Sequence, residues 1–380
     1  MAATDNPLGA LIQAALALPI LVLPVKASAA EVGEVGITLL GYKERGLMKV
    51  SEPVLWGRAQ FLEVWEVQAS AAVDIITGAS PQLVTNAAGA PVQSISSASI
   101  NDRRNTGDVK VTRRFGDFSF SASRTLSKEN DYHSKAFGLE GRLDLNQRNT
   151  TFVAGYGASN DRVLSRDDAR LNERRDTREY LVGVTQVLSP TALVQSTLSG
   201  SRGTGWYNDP YKLTFTFFAD GAPILVADRR PDHRDTFAWL TRYRRHFPEA
   251  NGTLQADYRF YRDDWGIRAH TLEVAWQHAL NERWALRPAL RYYTQEAADF
   301  YSPTVPRPQP AILSSDQRLG AWGGVSPSLR AIAKLDGGVT VEATLGYVHN
   351  ARNLHLGGSS SPAFETLRAV YGILGVSRAF

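Results

Sequence analysis

The chain has 380 residues, of which 43% are apolar and 10% aromatic, and a formal net charge of +4 from 42 basic and 38 acidic side chains. These proportions exclude a disordered chain and a bundle of membrane helices, and the even spread of basic residues leaves no footprint for nucleic acid. The lack of any cysteine removes disulfides, thiolate metal sites and a thiol nucleophile together.

From Leu8 to Ala30 an apolar run ends in Ala27-Ser28-Ala29, the small-residue pattern that precedes leader cleavage. The expectation is a signal peptide over residues 1–30 and a mature domain over 31–380, although the leading MAATDNP carries Asp5 and no basic residue. Beyond Glu31 no apolar run reaches the roughly 18 residues at which a helical span is expected.

The mature chain instead alternates with period two, the mark of strands with one wet face. Trp65, Val67, Ala69, Ala71, Val73 and Ile75 interleave with Glu66, Gln68, Ser70, Ala72 and Asp74. Phe118 and Phe120 interleave with serines, Leu254, Ala256, Tyr258 and Phe260 with Gln255, Asp257 and Arg259, and Leu272, Val274 and Trp276 with Glu273, Ala275 and Gln277. Trp284, Leu286, Leu290 and Tyr292 share a face opposite Arg287 and Arg291.

Short connections with hairpin chemistry are expected near Arg58–Gln60, Gly116-Asp117, Asn146–Asn149, Ser189-Pro190, Pro248–Gly252, Asn281-Glu282 and Asp336-Gly337. Between them fall connections that are often long and polar: Thr77–Asn105, Lys128–His133, Asn160–Arg178, Gly203–His233, Arg262–Gly266, Gln295–Asp316 and Ala351–Phe364. Within Gly203–His233, the stretch Lys212–Asp228 reads as an extra hairpin that stands above the rim or folds inward as a plug. Strict alternation of the two kinds requires one further strand before Met48, which Val32–Tyr42 supplies. The expected fold is all-β: a transmembrane antiparallel barrel of about 16 strands with short periplasmic turns and long extracellular loops.

The wet faces then line a lumen carrying Glu66, Asp74, Lys110, Arg114, Glu140, Arg142, Asp144, Arg242, Arg244, Asp257, Arg259, Glu273, Arg287, Arg291 and Glu342. This is either a selectivity field for polar or charged solutes or a set of ion pairs bracing the wall. Arg242, Arg244, Arg287 and Arg291 form a candidate basic stripe facing Glu66, Glu140 and Glu273. No catalytic residue, cofactor or metal is expected. His133-Ser134 is the one adjacent His-Ser pair, and neighbours on a strand point to opposite faces, which forbids a nucleophile-base contact. Asp74, Thr77, Ser80, Ser96, Ser97 and Ser99 could offer oxygen to a cation at the mouth, but serine-rich loops more often turn and solvate.

Three features carry a resemblance: "VDIITGASP" with "SISSAS", "GLEGRLDLNQRNTTFVAGYGASND", and the ending in Phe380. The chain resembles an uncharacterised Gram-negative outer-membrane barrel family, the domain of unknown function numbered thirty-five seventy, with Thr77 where that family has Ser. The resemblance implies a porin-like barrel in the outer membrane with no established activity. It leaves open a role in export or assembly beside simple transport. Expected partners are outer-membrane lipid, the barrel assembly machinery and small polar or charged solutes. In the last strand Leu374, Val376 and Phe380 face lipid and resemble the signal read by that machinery, with Arg378 as a departure whose charged end can snorkel to water.

Overall fold

The computed structural model describes residues 32–380 apart from 46, 86–90, 218–222, 307 and 359, with backbone alone for 32, 78–85, 91–101, 214–217 and 223–225. The leader expected over residues 1–30 lies outside the described residues.

Among the described residues eighteen strands follow one another. They are β1 (Val32–Glu44), β2 (Met48–Phe61), β3 (Trp65–Thr85), β4 (Pro91–Phe115), β5 (Phe118–Lys128) and β6 (Tyr132–Leu145). Next come β7 (Thr150–Leu164), β8 (Asn172–Ser189), β9 (Ala192–Gly205), β10 (Leu213–Phe217), β11 (Pro223–Ala227) and β12 (His233–Phe247). The last six are β13 (Gly252–Asp263), β14 (Arg268–Ala279), β15 (Trp284–Gln295), β16 (Trp322–Leu335), β17 (Val339–Ala351) and β18 (Leu367–Ala379).

Sixteen of them form one closed antiparallel barrel in which each strand pairs with its neighbour in sequence, β9 with β12, and β18 with β1. β10 and β11 make a separate two-stranded hairpin inside the connection from β9 to β12. Val32–Glu44 thus supplies the strand that the parity of connections demanded. The seam runs from Glu34 opposite Ala379 to Glu44 opposite Ala369. No helix among the described residues is long and apolar enough to cross a membrane.

The period-two pattern decides which face meets what. Val35, Ile37, Leu39, Leu55, Leu290, Leu345 and Leu374 all project outward, with Leu55 62% and Leu345 70% exposed. Apolar side chains at that exposure would be costly in water, so this face belongs in hydrocarbon. Closure leaves no strand edge whose backbone groups lipid would strand.

Several connections differ from the sequence expectation. The turn placed at Arg58–Gln60 falls after Phe61, because Arg58 is still in the ladder and donates to Glu34 at 3.1 Å. Leu62 and Glu63 make that turn in left-handed conformations, which their residue types do not advertise. Thr77–Asn105 is mostly a tall hairpin, since pairing of β3 with β4 continues to Thr85 opposite Pro91. Likewise β7 and β8 pair as far as Leu164 and Asn172, shortening the Asn160–Arg178 connection to seven residues. On the same side, the connection 129–131 is no longer than the turn at 62–64, so the alternation of short and long is not strict.

At the seam Phe380 exchanges two backbone hydrogen bonds with Gly33, each 2.9 Å. A Cβ at Gly33 would lie 2.3 Å from the Phe380 ring, so glycine is required for this approach. We predict that deleting Phe380 lowers the stability of the refolded barrel by about 1–2 kcal/mol, the net worth of two hydrogen bonds. Urea titration followed by heat-modifiable gel migration measures this, and an unchanged midpoint would contradict it.

Candidate functional site

Two regions of the barrel interior concentrate polar chemistry: the wall at mid-height, and the end carrying the long connections, here called the mouth. On the wall, alternation turns one side chain in two inward, and the inward faces of β12 to β16 carry Arg242, Arg244, Arg259, Arg287, Arg291 and Arg330 together with Asp257 and Glu273. Arg244 binds Asp257 through both guanidinium nitrogens, Arg242 lies 3.7 Å from the same carboxylate, Arg287 donates to Glu273 at 3.2 Å, and Arg330 lies 3.7 Å from Glu342 on β17. Among the described residues Arg259 and Arg291 have no carboxylate within ion-pair reach; their guanidinium groups lie 5.1 Å and 5.7 Å from the rings of Tyr261 and Tyr293.

Glu66 on β3 and Glu140 on β6 stand across the lumen, β3 lying eight strands from β13 in the sixteen-strand ring. Glu66 accepts from Arg114 at 3.3 Å, Lys110 donates to Glu140 at 3.2 Å, and Arg142 pairs with Asp144 at 3.2 Å. Glu273 does not belong to that opposite wall: the register sets it directly beside Arg291, inside the basic stripe. The interior thus has an arginine-rich side facing a side of mixed sign.

Asp74 is not at mid-height but at the mouth, where it is buried, binds Arg104 and lies near Glu52. Thr77 is on the opposite, exposed face of β3, so the cation site imagined from Asp74, Thr77 and the serines is not assembled; Ser80, Ser96, Ser97 and Ser99 have side chains outside the described residues. A different carboxylate trio does converge there. Asp102, Glu129 and Asp131 each place one oxygen within 4.8 Å of the others. Such oxygens suit a hard cation, but Arg104 lies 3.6 Å from Glu129 and Asn130 already donates to Asp102 at 3.1 Å. His133 and Ser134 face opposite ways, His133 opposite Arg162 and Ser134 opposite Asp161 in the ladder.

Above the wall, the connection from β9 to β12 crosses the mouth. Tyr207 packs edge-on against Trp265 and beneath the Arg175 guanidinium, which binds Asp161 at 3.0 Å. Tyr211 then donates to Asp131 at 2.6 Å, and β10 lies alongside β3, six strands from β9 around the ring. On its return the segment joins residues 313–318 of the β15–β16 connection. Arg229 and Leu313 exchange two backbone hydrogen bonds at 2.9 Å, Arg230 bridges Asp228 at 2.6 Å and Asp316 at 3.0 Å, and Arg318 joins Asp316 to Asp209. The β17–β18 connection completes the layer as Phe364 stacks on Trp322 and Ser361 accepts from the Ala321 amide at 2.7 Å. The extra hairpin read at Lys212–Asp228 is therefore part of a lid over the mouth.

Burial opposes the charge of Asp316, yet the cations of Arg318, Lys212 and Arg230 around it hold its carboxyl far below the usual range. Burial pushes Asp228 up and raises Glu129 to about 7. Asp209, Arg230 and Asp316 fall in connections expected only to be long and polar, Asp228 ends the expected extra hairpin, and Arg318 lies beyond any of them. Their one signal was the spacing Asp-x-Arg, which occurs in both connections.

The geometry defines a class: a transmembrane β-barrel of outer-membrane type, with a charged lumen beneath a packed lid. The chain belongs to the family described as protein of unknown function (DUF3570), whose profile matches residues 8–172 and 165–367. No curated protein matches it in sequence. Among solved structures it is similar to a bacterial polysaccharide outer membrane secretin, at 8% identity and a TM-score of 0.51, covering 92% of this chain and 98% of the other. It is also similar to CdiB from Acinetobacter baumannii, at 8% identity and a TM-score of 0.53, covering 92% of this chain and 60% of that longer one. Identity this low shows the shared fold alone.

Two predictions concern the lid. Asp316→Asn removes the carboxylate that Arg230 and Arg318 share and leaves each with one remaining partner, Asp228 and Asp209; breaking a buried pair costs about 3–5 kcal/mol, so limited proteolysis should cut within 206–232 while the barrel stays heat-modifiable. Equal protease resistance would contradict this. Because the folded pKa of Glu129 is raised, the native state holds a proton that the unfolded state releases, so local stability is fullest near the ordinary carboxylate range and falls as pH rises through about 7. Hydrogen exchange in residues 129–132 should accelerate beyond its intrinsic base catalysis as pH rises from the ordinary carboxylate range to about 7, with no further excess above it, and Glu129→Gln should abolish the excess.

Proposed function

We propose that the protein is an outer-membrane channel for small polar solutes, with a preference for anions, whose lid sets when the lumen is open. The observation that carries this reading is the arginine side facing the mixed side, with Arg259 and Arg291 free of carboxylate partners among the described residues. Ion pairs such as Arg244 with Asp257 hold the wall; unpaired guanidinium groups in a lumen act on what passes through it. A barrel of sixteen strands is wide enough for an aqueous path. In this reading the short turns face the periplasm, the lid faces outward, and the assembly machinery reads Leu374, Val376 and Phe380 on the last strand.

A second reading follows from the buried ties of Arg230, Asp316 and Arg318, which favour a barrel closed at rest that serves as a scaffold for a periplasmic or surface partner. Planar-bilayer recording separates the two. A channel should show a reversal potential displaced toward chloride in a KCl gradient, and Arg259→Gln with Arg291→Gln should shift it toward zero. No conductance from a folded barrel, with or without the Asp316→Asn substitution, would sink the channel reading and leave the scaffold.

A further inference from the structure

The outward face at the mouth end of the seam carries a site that the channel reading does not use. Lys43 on β1 stands directly opposite Lys49 on β2, and both are exposed on the lipid face. Like charges directly opposed across a strand pair destabilise it unless an anion lies between them. Arg45 and Arg368 are next to them, exposed and joined through the backbone, the Arg45 amide donating to the Arg368 carbonyl at 3.0 Å. Among the described residues none of these four cations has a carboxylate partner. The neighbouring acids, Glu44 and Glu52, are buried on the inward face.

Immediately toward mid-membrane from the lysines the wall is hollowed. Gly41 pairs with Gly372 on one side and Ser51 on the other, and a Cβ built at Gly41 would meet nothing within 4 Å. Ile75, Leu345 and Val370 wall this floor, and the recess encloses about 470 Å³. It is an apolar trough in the hydrocarbon layer, capped at its outer end by paired cations.

At the other end of the barrel two outward arginines are of a different kind. The Arg113 guanidinium is stacked 5.1 Å from the Trp65 ring and 4.8 Å from Phe115, and Arg245 is 4.9 Å from Phe247. Those arginines are held by aromatic faces. Among the described residues no carboxylate pairs with the cations above the trough and no aromatic ring stacks on them.

We propose that this trough binds the phosphorylated glycolipid of the outer leaflet, its phosphates between Lys43 and Lys49 with Arg45 and Arg368 flanking, and an acyl chain over Gly41, Ser51 and Gly372. The inference rests on the membrane placement given under Proposed function. Charge alone would select any anion, and a trough alone any chain; their adjacency selects a lipid with a compact, multiply charged head. Lysines at the interface rather than the midplane cost the barrel little, and each draws the site toward an anionic surface.

The test uses the full chain folded in detergent micelles and assayed by native mass spectrometry and by competition with fluorescent bisphosphorylated lipid A. Wild type should retain lipid A. Lys43→Gln with Lys49→Gln should weaken binding about tenfold or more, Gly41→Leu should weaken it comparably by filling the trough, and Arg113→Gln should leave it unchanged. Equal retention by all variants would overturn the site, as would equal binding of phosphatidylglycerol. Inorganic phosphate competing as well as lipid A, with Gly41→Leu silent, would reduce it to an anion site and also overturn the proposal. Heat-modifiable migration of each variant reports the barrel separately, so a chain that never forms one defeats the membrane placement and not the site alone.

Discussion

Everything in this protein depends on the backbone hydrogen bonds that join β1 to β18. In hydrocarbon an unpaired strand edge has no solvent to satisfy it, so a sheet of these strands is tolerable only when it closes. Closure fixes the number of strands, the parity of the connections, and the rule that one side chain in two points inward. The charged lumen, the apolar girdle and the small residues at the seam follow from that rule. Gly33 beneath the Phe380 ring and Gly41 opposite Gly372 are where the closing strands come together.

The inward face divides its charge between structure and field. Arg244 with Asp257 and Arg287 with Glu273 brace adjacent strands, and Lys110 on β4 reaches Glu140 on β6 across β5. Among the described residues Arg259 and Arg291 add positive charge on one side without such a brace. The mouth uses ions differently. Asp316 is buried among Arg230 and Arg318, where removing one partner costs far more than an exposed pair would. The lid is thereby tied at few points, each of which matters.

Fold and lumen were legible in the sequence because both depend on a period-two pattern that lipid on one side and water on the other enforce along every strand. Trp65 through Ile75 and Leu254 through Phe260 show it without ambiguity. What was not legible depends on contacts distant in sequence. The length of the β3–β4 hairpin was hidden because Ser-rich, low-complexity chain reads as loop, although alternate small residues pair well beyond the bilayer. Glu273 was set on the wrong wall because alternation gives the facing of a side chain but not its position around the ring. The turn at Leu62 and Glu63 lacks glycine or asparagine at its left-handed positions. The lid was hidden most completely: Asp209, Asp228 and Asp316 are ordinary loop residues until the barrel brings their connections to one mouth.

The proposed function requires a passable lumen beneath a lid tied across the mouth. The absence of cysteine from the chain makes a direct measurement straightforward, since thiols introduced by Tyr211→Cys and Asp131→Cys would be the only two present. Single-channel conductance of this double variant should be recorded before and after bridging with a short reducible thiol cross-linker. The account predicts conductance that falls on cross-linking and returns on reduction. Equal conductance in the bridged and reduced states, or none in either, would contradict it.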